Sequence, residues 1–220
     1  MINLPDKNLS FEYENGFYLT CDPSRIGKLI AHYELYKKII QIPGAIVECG
    51  VYKGASLNRF AAFRNLLDNQ INRKIVAFDT FESFPETKFA DDIPLRQEFI
   101  DDSGDQSISK SQLEKIFHEK KCSELVELID GNICDTVPKY VDENPDFKIS
   151  LLNLDVDVYE PSVIILDYLF PLIVKGGILI LDDYGTFPGE TQAVDEFING
   201  QSIKIQKFPF CNTPRYIIKK

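Results

Sequence analysis

The chain has 220 residues, 44% of them hydrophobic, which suffices for one domain with a core of its own. Its 34 acidic and 24 basic residues leave a formal charge of −10, which excludes the basic stripe of a nucleic-acid groove and any attraction to an anionic membrane surface. His32 and His118 are the only histidines and the five cysteines never form C-x-x-C, so imidazole and thiolate zinc sites are not expected and a reducing, cytoplasmic setting is.

The first ten residues mix Asp6 and Lys7 with apolar residues, so no secretory leader is expected. Asp22-Pro23 supplies an N-cap and a proline at the first helical position. Ile26, Leu29, Ile30, Tyr33, Tyr36 and Ile40 then recur at helical spacing until Pro43-Gly44. Strand-like runs follow at Ala45–Cys49, Lys74–Phe78, Val126–Ile129, Ile149–Leu154 and Gly177–Leu181, with Ile203–Lys207 and Arg215–Lys219 near the end. Most are too continuously apolar for a half-exposed sheet and suit parallel strands covered on both faces. A helix is expected over Leu57–Leu67. The stretch Thr80–Ile108 shows no sustained period and reads as a lid or binding loop, with room for a short helix in part of it, after which Ser111 and Glu114 offer a capping box for a helix ending near Lys120. Val163–Leu181 is broken by Asp167, Pro171, Lys175 and Gly176-Gly177, so it reads as helix, turn and buried strand instead of a membrane span. The alternation as a whole predicts an α/β fold.

Three features carry chemistry. The first strand ends in Glu48-Cys49-Gly50-Val51-Tyr52-Lys53-Gly54-Ala55-Ser56. A dinucleotide fingerprint would need glycine where Tyr52 stands, so NAD and FAD are disfavoured. S-adenosylmethionine, which has no pyrophosphate, needs a carboxylate near its amino-acid end and an acid for its ribose, and Glu48 and Asp79 can fill those roles. Asp79 otherwise caps the next turn. Asp130-Gly131 closes the third strand and either contacts an adenine edge or forms a plain turn. Lastly, Asp155-Val156-Asp157 and Asp182-Asp183 each close an apolar run. If the two runs are neighbours in a parallel sheet, their carboxylates meet at one edge and call for a divalent cation.

The segments Pro43–Gly54, Phe78-Asp79-Thr80-Phe81-Glu82-Ser83-Phe84-Pro85, Leu154–Glu160, Gly176-Gly177 through Gly185, and Ala193–Phe197, in that order, resemble the macrocin-type sugar O-methyltransferases. These S-adenosylmethionine- and magnesium-dependent enzymes tailor macrolide and aminocoumarin sugars. The resemblance implies a Rossmann-like class I methyltransferase fold: a seven-stranded, mostly parallel sheet with an antiparallel last strand and helices on both faces. It implies one domain over 1–220, with a helical cap over 1–43, a catalytic core over 44–220 and a lid over 80–108. It places the metal on Asp155, Asp182 and Asp183, and the removal of the sugar proton on Asp155 or Asp157. The donor is expected against Glu48, Gly50, Tyr52, Gly54, Ser56, Asp79, Thr80, Asp130 and Gly131.

For the acceptor, Lys53, Lys88 and Arg96 are candidates to meet a nucleotide-linked sugar's diphosphate, and Tyr52, Tyr159, Tyr184 and Phe187 to stack on a sugar or aglycone. Three readings are therefore carried: a metal-dependent sugar O-methyltransferase, a catechol-type O-methyltransferase acting on an aromatic diol, and a non-catalytic methyltransferase-like module. The resemblance also implies a homo-oligomer, a dimer or larger, with a small-molecule substrate and neither nucleic acid nor membrane as partner.

Overall fold

Asp22 caps a long helix as the sequence predicts. Its carboxylate accepts the Ser24 N–H at 2.9 Å, and Pro23 occupies the position where a missing N–H costs no hydrogen bond. The computed structural model describes residues 2–68 and 73–220. In it α1 (Ser10–Thr20) buries no side chain, and α2 (Pro23–Ile39) buries Ala31, Leu35, Tyr36 and Ile39 on one face. The last carbonyls of α2 are not left open. Arg73 donates to Ile39 O and Ile40 O at 3.1 Å and to Ile42 O and Gly44 O at 2.9 Å, tying the helix end to the start of the sheet.

The alternating elements follow in order: β1 (Ala45–Cys49), α3 (Ala55–Leu67), β2 (Ile75–Asp79), α4 (Asp92–Ser103), α5 (Lys110–Glu119), β3 (Val126–Asp130), α6 (Ile133–Glu143), β4 (Ile149–Leu154), α7 (Tyr159–Tyr168), β5 (Ile173–Leu181), α8 (Pro188–Ile198) and β6 (Arg215–Ile218). Their sheet order is β3-β2-β1-β4-β5-β6, parallel throughout except for β6. The central strands bury both faces. Val47, Leu152 and Leu179 join α6, α7 and α8 in one core, while Ile46, Leu151 and Ile178 join α2, α3 and α5 in the other. This is why these runs are apolar without alternation. No helix among the described residues is long and apolar enough to cross a membrane.

Two expectations are corrected. The sheet has six strands among the described residues, not seven. Residues 203–207 contribute one bridge, in which Gln206 and Tyr216 exchange hydrogen bonds of 2.8 and 2.9 Å. Pro209 has no N–H to extend that ladder, and the Phe208 ring stacks on Tyr216 instead, 5.1 Å between centroids. The capping box of α5 is Ser109 with Gln112, two residues before the expected pair. The Ile108 N–H is bound to Tyr52 O at 2.8 Å, which holds the chain extended up to Ser109 and starts the helix there. The aperiodic stretch 80–108 contains α4, whose polar sequence lacks an apolar stripe and whose Pro94 fits the first turn.

Because the strand order reverses between β1 and β4, the loops after these two strands separate and leave a crevice at the carboxyl ends of the sheet. Gly50 makes this junction possible. Its φ is +89°, and a Cβ there would lie 1.7 Å from the carbonyl oxygen of Asp155. The Asp155 N–H in turn donates to Cys49 O at 3.0 Å, so the ends of β1 and β4 are stitched together at the site.

Candidate active site

The crevice opens into a cleft of about 880 Å³, within the range of small-molecule sites. One end is built on the turn after β1. Asp79, at the end of β2, accepts the backbone N–H groups of Val51 (2.6 Å) and Tyr52 (3.1 Å) on one oxygen and that of Phe81 (2.7 Å) on the other. It therefore holds the turn in shape and also lines the cleft, as do Gly50, Tyr52, Ser56 and Thr80. Tyr52 adopts φ +48° and its hydroxyl donates to the last carbonyls of the α4 region, Ser103 O at 2.6 Å and Gly104 O at 3.0 Å. Gly54, Asp130 and Gly131 lie outside the lining. Asn132, Ile133 and Cys134 take that wall instead, positioned by the Asn132 side chain, which caps α6 by accepting the Cys134 N–H at 2.9 Å. An Asn followed by an apolar helical run is the signal that would have located them.

Glu48 sits beneath the turn, wholly buried. Its Oε1 accepts the Ser56 hydroxyl at 2.8 Å and its Oε2 has no partner among the described residues. Burial above all, with Asp182 and Asp79 adding to it against the Ser56 bond, pushes its pKa to about 8. The folded value lies above the ordinary 4.5, so the native state keeps a proton that the unfolded chain releases. The resulting stabilisation is complete below pH 4.5 and is lost as pH rises through 8, by up to about 1.4 kcal/mol per unit. In Glu48→Gln, which keeps the shape without the charge, the donor-free protein should lose that slope. Urea midpoints of wild type and variant from pH 5 to 8 measure it, and parallel curves would refute it.

The other end of the cleft holds the acids. The carboxylate oxygens of Asp155, Asp157 and Asp183 lie within 4.8 Å of one another. They converge because β4 and β5 are paired in register, Leu154 opposite Leu181, so that the residues following each strand meet. Asp157 takes φ +65°, a left-handed turn that aspartate tolerates better than most residues. Burial above all raises the pKa values of all three, with repulsion from neighbouring carboxylates adding to it; that of Asp157 rises to about 7 against the Asp183 hydrogen bond. Behind them Glu190, in the first turn of α8, is buried with Oε2 unpartnered, while its Oε1 accepts the Asp183 N–H at 3.1 Å.

Of the acids expected to hold a metal, Asp155 and Asp183 belong to this group, while Asp182 lies against Asp155 with its oxygens turned to Lys28 and His32. Asp182 is buried, with one oxygen bonded to the ammonium of Lys28 and the other 3.7 Å from His32 Nε2. Burial alone would raise its pKa, but Lys28 and His32 hold it well below the carboxylate range. Neither Lys28 nor His32 was singled out from the sequence for this site. They lie on α2 four residues apart, on the face turned to the strand ends.

Of the three basic candidates, Lys53 and Lys88 line the cleft. Lys53 donates to Ser103 O at 2.6 Å, while Arg96 braces the segment before α4 by donating to Pro85 O (2.6 Å) and Phe84 O (2.7 Å). That segment is fastened to the acid end through Asp92. Its carboxylate, fully buried, accepts the N–H of Tyr159 at 3.0 Å and of Gly189 at 2.7 Å, capping α7 and α8 together. A Cβ on Gly189 would come 2.0 Å from Asp92 Oδ2, so only glycine lets the acid in. Phe89 stacks on Tyr159 at 5.0 Å, and Glu160 accepts from Thr87 and Lys88. Asp92→Ala strands two buried N–H groups and is expected to cost about 1–3 kcal/mol. Chemical denaturation measures this, and faster amide exchange at 159 and 189 would locate it. An unchanged midpoint would rule out the double cap.

Comparisons with known proteins agree with this architecture. The model of the macrocin O-methyltransferase (TylF) family matches residues 26–209. The chain is 30% identical over 146 residues to the 8-demethyl-8-(2,3-dimethoxy-alpha-L-rhamnosyl)-tetracenomycin-C 4'-O-methyltransferase of Streptomyces olivaceus, a match covering 65% of this chain and 54% of that protein. It is 26% identical over 161 residues to the mycinamicin III 3''-O-methyltransferase of Micromonospora griseorubida, covering 71% and 61%. It thus spans little more than half the length of such relatives. The crystal structure of the calicheamicin methyltransferase CalS11 superposes with a TM-score of 0.78 at 27% identity, over 95% of this chain and 85% of that one. The fold is that of the class I methyltransferases, and the chain belongs to the macrocin O-methyltransferase (TylF) family.

Proposed function

We propose that this protein is an S-adenosylmethionine-dependent sugar O-methyltransferase that uses a magnesium ion. The observation that carries this reading is the convergence of Asp155, Asp157 and Asp183 at one end of a cleft whose other end is built on the Gly50–Gly54 turn. The residues fit both groups. The three carboxylates are hard oxygen donors whose mutual repulsion a doubly charged ion would remove, and the orphaned Glu48 Oε2 is an acceptor that the donor's ammonium would satisfy. When bound, the ion would supply Lewis acidity that stabilises alkoxide character on a sugar hydroxyl. Asp155 and Asp183 would hold it from adjacent strand ends with Asp157 between them. A free oxygen of Asp157 or Asp155 would take the hydroxyl proton. Asp182, engaged with Lys28, would keep that cation from competing for the cluster.

The protein's larger contribution is orientation. Asp79 shapes the turn that faces the donor, and the segment around Asp92 covers the acids, so donor and acceptor would be held in line away from water. The Streptomyces olivaceus relative is named for a rhamnosyl-bearing tetracenomycin, which supports a sugar as acceptor here. The reading is tested by a methyl-transfer assay over nucleotide sugars and glycosides, with EDTA and with magnesium restored. Transfer to a sugar that EDTA abolishes and magnesium restores is the expected result. Transfer only to aromatic diols, or undiminished transfer in EDTA, would overturn it.

A further inference from the structure

The cleft carries two cations that the site described above leaves unused. Arg25, in the first turn of α2, and Arg59, one turn into α3, both line it. Lys28 beside them is spent on Asp182, but among the described residues neither guanidinium has a hydrogen bond or an ion pair. They are close enough for the charge of Arg25 to add to burial in lowering the pKa of Arg59, while Asp182, Glu48 and Asp155 oppose it from across the cleft. In a chain of net charge −10, an unpaired arginine half withdrawn from water next to another arginine is not a general surface feature. Two guanidiniums that line one cleft with no acid bonded to either form a ready receptor for an oxyanion, which accepts several N–H bonds at once and removes their repulsion.

We propose that Arg25 and Arg59 form an oxyanion seat in the cleft. Two ligand groups share the required chemistry: the carboxylate of the methyl donor and the phosphates of a nucleotide-linked acceptor. The position favours the carboxylate, an assignment that rests on the methyl-donor reading above. In an amino acid the ammonium and carboxylate are attached to one carbon. An ammonium neutralising Glu48 therefore puts the carboxylate within a few ångströms, on the side where the charge of Arg59 reaches Glu48. Asp79, at the end of the neighbouring strand β2, is left for the ribose at the far end of the ligand.

The test is calorimetry on the full chain with S-adenosylhomocysteine, with its decarboxylated analogue, and with uridine and thymidine diphosphates. Wild type, Arg25→Gln, Arg59→Met and Arg59→Lys are compared. The expected result is that S-adenosylhomocysteine binds about 10- to 100-fold more weakly to Arg59→Met, with Arg25→Gln affected less and Arg59→Lys intermediate. The decarboxylated analogue should bind all four proteins alike. If the variants lose the nucleoside diphosphates and keep S-adenosylhomocysteine, the seat stands and its occupant is the acceptor's phosphate. If no ligand's affinity changes in Arg25→Gln and Arg59→Lys, which stay polar should Arg59→Met fail to fold, there is no seat. A wild-type protein that binds no S-adenosylhomocysteine would instead remove the methyl-donor reading itself.

Discussion

Asp155→Asn is expected to lower kcat/KM for methyl transfer by at least about 100-fold while leaving the fold as stable as wild type or more so. The first part follows from losing one of three converging oxygens for the cation, a larger change than the 10- to 100-fold typical of disturbing only a ligand's supporting partner. The second follows from the electrostatics. Without a cation, burial and the charges of Asp182 and Asp183 disfavour ionised Asp155, so an amide of the same shape relieves repulsion. Thermal unfolding with and without magnesium separates the effects: wild type should gain Tm on adding the ion, and Asp155→Asn should gain little. A variant that is fully active, or that shows the wild-type magnesium shift, would show that this carboxylate holds no ion.

Lys28→Met is expected to destabilise the protein by about 3–5 kcal/mol, because it strands the buried carboxylate of Asp182 beside a neutral imidazole, with no ammonium bonded to it. Burial holds His32 neutral, and its ring is stacked on Phe60 at 5.0 Å, so it does not replace the lost ammonium. Adding Asp182→Asn to Lys28→Met should recover most of the loss, and a double-mutant cycle on urea midpoints reads the coupling. The pH dependence has a definite sign. Asp182 is held below its ordinary value of 3.8, so the pair contributes stability above that pH, and the contribution disappears as pH falls through the folded-state value. Lys28→Met should therefore be much less stable than wild type at pH 7, with the gap closing in acid. A gap that stays constant down to pH 2 would mean that Lys28 acts through packing alone.

These two results bear on one design. Five carboxylates, those of Asp155, Asp157, Asp182, Asp183 and Glu190, crowd the carboxyl ends of β4 and β5, and among the described residues the one ammonium bonded to any of them is that of Lys28, on Asp182. The remaining repulsion is kept in the folded protein. Stability and the proposed activity therefore pull in opposite directions at Asp155 and in the same direction at Lys28.

Much of this was legible from local sequence. Continuous apolar runs announced buried parallel strands, Asp22-Pro23 announced the start of α2, and the two acid pairs announced a shared edge, because each signal depends on neighbours a few residues away. Where local rules offered two equal solutions, they failed. Ser109-Gln112 and Ser111-Glu114 are both capping boxes on paper, and the Ile108–Tyr52 hydrogen bond selects the first. Residues 203–207 have strand propensity but find only a single bridge, since Pro209 and the Phe208–Tyr216 stack divert the chain.

What the sequence by itself determined is the α/β class, most of the parallel strands and the presence of acids at the ends of two of them. Only the tertiary structure decided which carboxylates face one another, that Asp182 belongs to Lys28, that Asp92 caps two helices at once and that Arg25 and Arg59 line one cleft. Secondary structure follows from spacing along the chain, whereas the partner of a charge is set by the directions in which packed helices aim side chains from distant positions. Lys28 and Asp182 meet only because α2 packs across the carboxyl end of β5, and no pattern local to either residue contains that fact.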